Sequence, residues 1–218
     1  MPQPVLRILS CASKILASIT LAYRPIHLEE LVPIAGLPEE VSSDEGSIKG
    51  IVELCGSFLV IRDGIVYFVH QSTKNYFDTP RVKSKIALGG PAEGHCTIVS
   101  RSLEVMNNKL QRDIYKLQHQ ESPIADIKAP DPDPLASIRY ACVYWIDHLC
   151  EIESGHDGVG LCDNGMIDVF LKEHFLHWLE ALSLMRNLSD SVFAIAKLIG
   201  LLTVSHYLID CRKLWSTN

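Results

Sequence analysis

One dipeptide constrains the first third of this chain more than any other feature. Asp63-Gly64 stands between two apolar runs, Phe58-Leu59-Val60-Ile61-Arg62 and Ile65-Val66-Tyr67-Phe68-Val69. A two-residue hairpin loop that matches the twist of its strands needs positive φ at its central positions, and Asp-Gly adopts that backbone readily. Two antiparallel strands joined by a tight turn are therefore expected here. Three helical patterns come before them. Val5, Ile8, Leu9, Ala12, Ile15, Leu16 and Ile19 recur at helical spacing over 5–22, ahead of Arg24-Pro25. Leu28, Leu31, Val32 and Ala35 share one face of a shorter helix stopped by Gly36, with Pro38 beyond it. Ser42 with Glu45 three residues on has the form of a capping box, opening a helix that carries Ile48, Ile51, Val52 and Cys55 and breaks at Gly56. A short helix over 71–77 follows the hairpin and ends at Pro80.

Three helices and then a two-stranded hairpin is the order of a winged helix-turn-helix, assigned to residues 1–80. Residues 82–93 lack periodicity and hold Gly89-Gly90-Pro91, so a loop is expected there. Leu103, Met106 and Leu110 mark a helix over 98–110. Pro123, Pro130, Pro132 and Pro134 follow, with acids between them, and helix does not run through that spacing. Residues 81–134 thus read as a loop, a helix and a stiff Pro-rich linker. The part from 135 to 204 is helical again. One stripe runs through Ile138, Cys142, Trp145 and Leu149, and another through Ile167, Phe170, Leu171, His174, Trp178, Ala181, Leu182 and Met185. A Gly- and Asp-rich loop over 155–165 separates them, and Ser189 or Asp190 can cap a last helix running toward Val204. The fold class expected is mainly α: a winged helix followed by a helical arm or bundle, with a tail over 205–218.

Composition narrows the function. The 218 residues are 47% hydrophobic and 21% charged, which suits a packed chain. The net charge of −6 gives no electrostatic footprint for nucleic acid or an anionic membrane surface. Residues 1–80 hold nine acids against six bases, and the third helical pattern sets Asp44, Glu45 and Glu53 against Lys49, so a stand-alone DNA-binding winged helix is the disfavoured alternative. No apolar run reaches the ~18–20 residues of a membrane helix, and Lys14 interrupts the apolar N-terminus, so no signal peptide is expected. Seven cysteines, an odd number without framework spacing, read as reduced packing residues of a cytoplasmic protein.

A search for chemistry returns little. There is no phosphate loop, no Gly-x-Ser-x-Gly elbow and no dinucleotide fingerprint, and Gly89 to Gly94 contains a proline and no lysine. In Glu173-His174-Phe175-Leu176-His177-Trp178-Leu179-Glu180 the histidines are three apart with the glutamates outside, so a core histidine is expected at 174 rather than a metal ligand. His148, Cys150, His156 and Cys162 are zinc-ligating types, but His148 and Cys150, two apart on a helix, point to different faces. No catalytic residue, metal or cofactor is assigned, and the chain is expected not to be an enzyme.

Several runs carry a family likeness. Leu21-Ala22-Tyr23-Arg24-Pro25-Ile26-His27-Leu28-Glu29-Glu30-Leu31, Cys55-Gly56-Ser57-Phe58-Leu59 and Val66-Tyr67-Phe68-Val69-His70-Gln71-Ser72 resemble the winged-helix segment of fungal NACHT-type signal-transduction NTPases, the NOD-like and heterokaryon-incompatibility-like proteins. The likeness continues through Pro130 to Ser137, Tyr144 to Leu149 and Phe170 to Leu182. It implies a regulatory segment between an upstream NTPase domain and downstream sensor repeats. The implied partner is a protein, the NTPase domain or a related chain, met through apolar helix faces; no nucleic acid and no membrane are implied. In relatives, a histidine just after the second wing strand reaches the nucleotide phosphates. His70 falls at that place, with Gln71 where the relatives carry aspartate. A gene fragment and an adaptor acting in trans both fit this reading.

Overall fold

Helix α1 (Gln3–Leu21) opens the fold. The structure, a computed structural model, describes residues 3–38, 41, 45–86, 89–117, 123–152 and 164–216, with side chains throughout these except at 3–6, 45, 125, 190 and 204–216. The buried face of α1 is Cys11, Ile15, Ser18 and Ile19, whereas Ile8 and Leu9 are exposed. The packed stripe thus begins a turn later than the apolar spacing suggests. The elements that cover α1 bury its later turns.

A two-residue strand, β1 (Ile26–His27), then leads directly into α2 (Leu28–Ala35). The chain enters α2 through a capping box: Glu30, buried, accepts the His27 backbone N–H at 3.0 Å. Gly36 closes α2 in the left-handed region, with φ at 58°. Helix α3 (Glu45–Leu54) buries Ile48, Ile51 and Val52, and Cys55 is buried just beyond it. Ser42 of the expected capping box lies outside the described residues. Strands β2 (Leu59–Arg62) and β3 (Ile65–Phe68) form the expected hairpin, with Asp63 and Gly64 at φ 49° and 76°. Val66 of β3 pairs with Ile26 on one side and Ile61 on the other, so the sheet order is β1-β3-β2. The sequence reading missed β1 because two residues show no alternation; its partner comes from the hairpin.

Helix α4 (Gln71–Phe77) has the expected bounds. Pro80 does not lead into a loop, however; it opens α5 (Pro80–Ile86), where a missing N–H costs nothing because the first helical turn has no acceptor for it. The same asymmetry moves the start of α6 (Pro91–Lys109) back from 98 to Pro91, with Gly90 at φ 96° as its N-cap. Within the expected loop over 82–93, residues 82–86 thus belong to α5 and 91–93 to α6. In the Pro-rich stretch a single 3₁₀ turn forms at Ile124–Asp126. Asp133 then anchors the chain: it accepts the Leu135 N–H at 2.9 Å and the Tyr115 hydroxyl at 3.1 Å, and it pairs with Arg139.

Helices α7 (Arg139–Cys150), α8 (Met166–Leu184) and α9 (Leu188–Ser216) follow. The molecule is mainly α, as expected, and among the described residues the hairpin gains β1 to form one small antiparallel sheet. Among the described residues there are two hydrophobic cores. One gathers α1, α2, α3 and the sheet around Ile15, Leu31 and Val66. The other gathers α6 to α9 around Trp145, Phe170 and Trp178. Helix α6 serves both: Ile98 faces the first core, while Val99, Leu103 and Met106 face the second. Tyr140 of α7 also reaches into the first core.

Candidate functional site

His70 sits between β3 and α4 in extended backbone (φ −140°, ψ 153°), as the N-cap residue of α4. Its carbonyl accepts the Thr73 and Lys74 N–H groups, but its side chain makes no capping hydrogen bond. The imidazole is exposed and borders a groove of about 190 Å³ lined also by Arg24, Tyr67, Phe68, Gln71 and Lys74. These residues arrive from three places: the turn after α1, strand β3 and the first turn of α4. The Gln71 side-chain amide donates to the side-chain oxygen of Asn75 at 3.0 Å.

Arg24 is held rather than loose. Its guanidinium makes two hydrogen bonds to the Glu30 carboxylate, at 2.6 and 2.8 Å, and lies over the rings of Tyr140 and Tyr144 at 5.3 and 5.8 Å. Burial opposes its charge, yet the Glu30 hydrogen bond and charge outweigh burial and hold it above its ordinary pKa. The groove is thus lined by the Arg24 guanidinium, already paired with Glu30, and by the His70 imidazole and the Lys74 ammonium. Such a set suits an anionic group.

Behind Arg24 runs a buried polar chain. The Tyr23 N–H donates to the Tyr140 hydroxyl at 3.2 Å. That hydroxyl lies 2.8 Å from Nε2 of His148, and Nδ1 of His148 lies 2.7 Å from Nδ1 of His95. His148 is 0% exposed and His95 8%. Burial, with His95 beside it, pushes His148 down to about 3. Burial also lowers His95, with the Glu151 charge opposing and the Lys83 charge assisting.

Of the zinc-type constellation considered from sequence, two members fall among the described residues. His148 has both ring nitrogens engaged, Cys150 is exposed, and His156 and Cys162 lie outside the described residues. Among the described residues no group of three or more metal-ligating side chains comes together. His174 and His177 lie on α8 with ring centroids 5.6 Å apart; His174 stacks on Phe170, and Glu180 is taken up by the Asp113 and Ile114 N–H groups. Sequence reasoning missed His95 entirely. Its partner is 53 positions away, and nothing local marks it.

The decisive comparison is with the vegetative incompatibility protein HET-E-1 of Podospora anserina, 42% identical over 203 residues that take in 87% of this chain. This chain is a relative of that fungal incompatibility protein. Similarity of that extent reaches into both cores. The chain spans 15% of the length of this relative. No family model matches the chain, and no solved structure matches it. Among the described residues no helix is long and apolar enough to cross a membrane.

Proposed function

We propose that this chain is a non-enzymatic regulatory segment of a NACHT-type signalling NTPase, coupling the nucleotide-binding domain to sensor repeats. The observation that carries the reading is the 42% identity to an incompatibility protein across most of the chain. The order of elements supports it: three helices and a hairpin suit a winged helix, and the α6 to α9 core suits a helical arm. In this reading the region acts by packing. Leu54, Phe58 and Tyr76 beside the hairpin, and Val192, Phe193 and Ile199 on α9, are exposed apolar side chains that a neighbouring protein domain would cover.

His70 then reaches the nucleotide held by the adjoining NTPase domain, its ring donating a hydrogen bond to a terminal phosphate oxygen. A contact made better with ADP than with ATP biases the domain arrangement toward the resting state. The setting of this work would be the cytoplasm. The test is His70→Ala in a longer relative that carries the NTPase domain. Nucleotide released from the purified, denatured protein is measured. A loss of bound ADP supports the role, whereas unchanged ADP overturns it.

A further inference from the structure

We propose that His95, His148 and Tyr140 form an acid-sensitive latch between the two cores, opened by a single proton on either imidazole. The inference is independent of the nucleotide reading and rests on the hydrogen-bond chain. Its direction is set at the Tyr23 end. Because the Tyr140 oxygen accepts the Tyr23 N–H, its own hydrogen is left to point at Nε2 of His148. Nε2 is then an acceptor, so His148 carries its proton on Nδ1 and donates it to Nδ1 of His95. His95 in turn carries its proton on Nε2. This arrangement gives each of the three hydrogen bonds in the chain one donor and one acceptor, with both rings neutral.

An added proton has nowhere to sit. On His95 it would place an N–H on Nδ1, facing the N–H of His148. If His148 moved its own proton to Nε2, that N–H would face the Tyr140 hydroxyl hydrogen. Turning the hydroxyl away then leaves a buried O–H without an acceptor. The surrounding charges do not remove the conflict. Glu151, after α7, attracts a proton to His95, while Lys83 on α5 repels it. The rings of Tyr23 and Tyr140 pack against His148, Tyr144 packs on both of those tyrosines, and Arg24 lies over the two α7 tyrosines. The site is also placed to matter. The chain ties the segment after α1 to α7, and α7 to α6, which is where the two cores meet.

The experiment follows the full chain from pH 7.5 to pH 5. Nitrogen-15 spectra of the imidazoles are expected to show His148 as the Nδ1–H tautomer and His95 as the Nε2–H tautomer at pH 7.5. Either ring in the opposite tautomer overturns the latch. Urea unfolding is then compared between the wild type and His148→Gln, whose amide hydrogen-bonds but does not protonate. An imidazole kept neutral by the fold lowers the folding constant about thirtyfold over that range. The wild type is expected to lose about that factor more than the variant; equal losses overturn the proposal. Hydrogen-exchange protection separates a latch from general acid unfolding, and needs no variant. The Tyr23 amide is expected to lose protection at a higher pH than the Trp178 indole N–H, which donates to the Cys142 carbonyl inside the second core. Simultaneous loss overturns the latch.

Discussion

Single residues show how unlike groups hold this fold. Glu30 is a buried carboxylate that satisfies three donors at once: both nitrogens of the Arg24 fork and the His27 N–H that begins α2. Glu30→Gln keeps the shape but leaves the guanidinium without its counter-charge, and is expected to lower stability by about 2 kcal/mol in urea unfolding. Asp133 does a similar service for the Pro-rich stretch. Burial alone would raise its pKa, but the hydrogen bonds from Arg139, Leu135 and Tyr115 outweigh burial and hold it below the ordinary carboxylate range. Its folded pKa lies below the unfolded one. Its contribution is therefore present above pH ~4 and fades as pH falls further. His148 has the same direction of shift with the opposite charge bookkeeping: neutral when folded, its contribution fades from pH ~6.5 downward. Stability measured against pH should fall in two stages, and Asp133→Asn should flatten the lower one alone.

The elements carry their own test in two glycines. At Gly64 the hairpin turn has φ of 76°, and an added Cβ would stand 2.6 Å from Nε2 of His27. The Gly64 carbonyl also accepts the Leu28 N–H at 2.8 Å, so turn, β1 and the start of α2 meet there. Gly64→Ala is expected to cost about 1–2 kcal/mol, from the left-handed backbone and the ring that must shift. Gly50, inside α3, has nothing within 4 Å of a built Cβ. Gly50→Ala is expected to raise stability by up to about 1 kcal/mol, because alanine loses less backbone freedom in a helix. Thermal melting of the two variants checks both signs. The same elements show what spacing carries. The hairpin and α4 lie where the pattern put them, since Asp-Gly and the Pro80 boundary act locally. Helix α5 is not legible in the pattern and α6 begins earlier than its spacing shows, because Pro80 reads as a stop and Pro91 as part of a loop where each opens a helix.

At the scale of the molecule, the two cores are joined through α6 and α7. Ile98 and Tyr140 face the first core from helices that otherwise build the second. Tyr140 serves this junction with both parts of its side chain: its ring packs in the first core, and its hydroxyl meets both the Tyr23 N–H and His148. Tyr140→Phe keeps the ring but strands the buried His148 nitrogen and the half-buried Tyr23 N–H, so a loss of about 1–3 kcal/mol is expected. If the cores unfold as one, tryptophan fluorescence, which reports the second core through Trp145 and Trp178, and backbone circular dichroism will shift together. Separate midpoints would show that the junction does not couple them.

The sequence by itself determined the local matters: a mainly α chain, the hairpin at Asp63-Gly64, the apolar stripes of α3, α7 and α8, and His70 at the end of the second strand. Each follows from a period, a cap or a turn whose physics extends over a few residues. Tertiary structure alone decided that two residues at 26–27 become a third strand and that α6 belongs to both cores. It also decided that the zinc-like His148 is the middle of a hydrogen-bond chain. Those outcomes depend on which faces meet across tens of positions, as with His95 and His148, and burial changes what an imidazole does once water has been excluded from it.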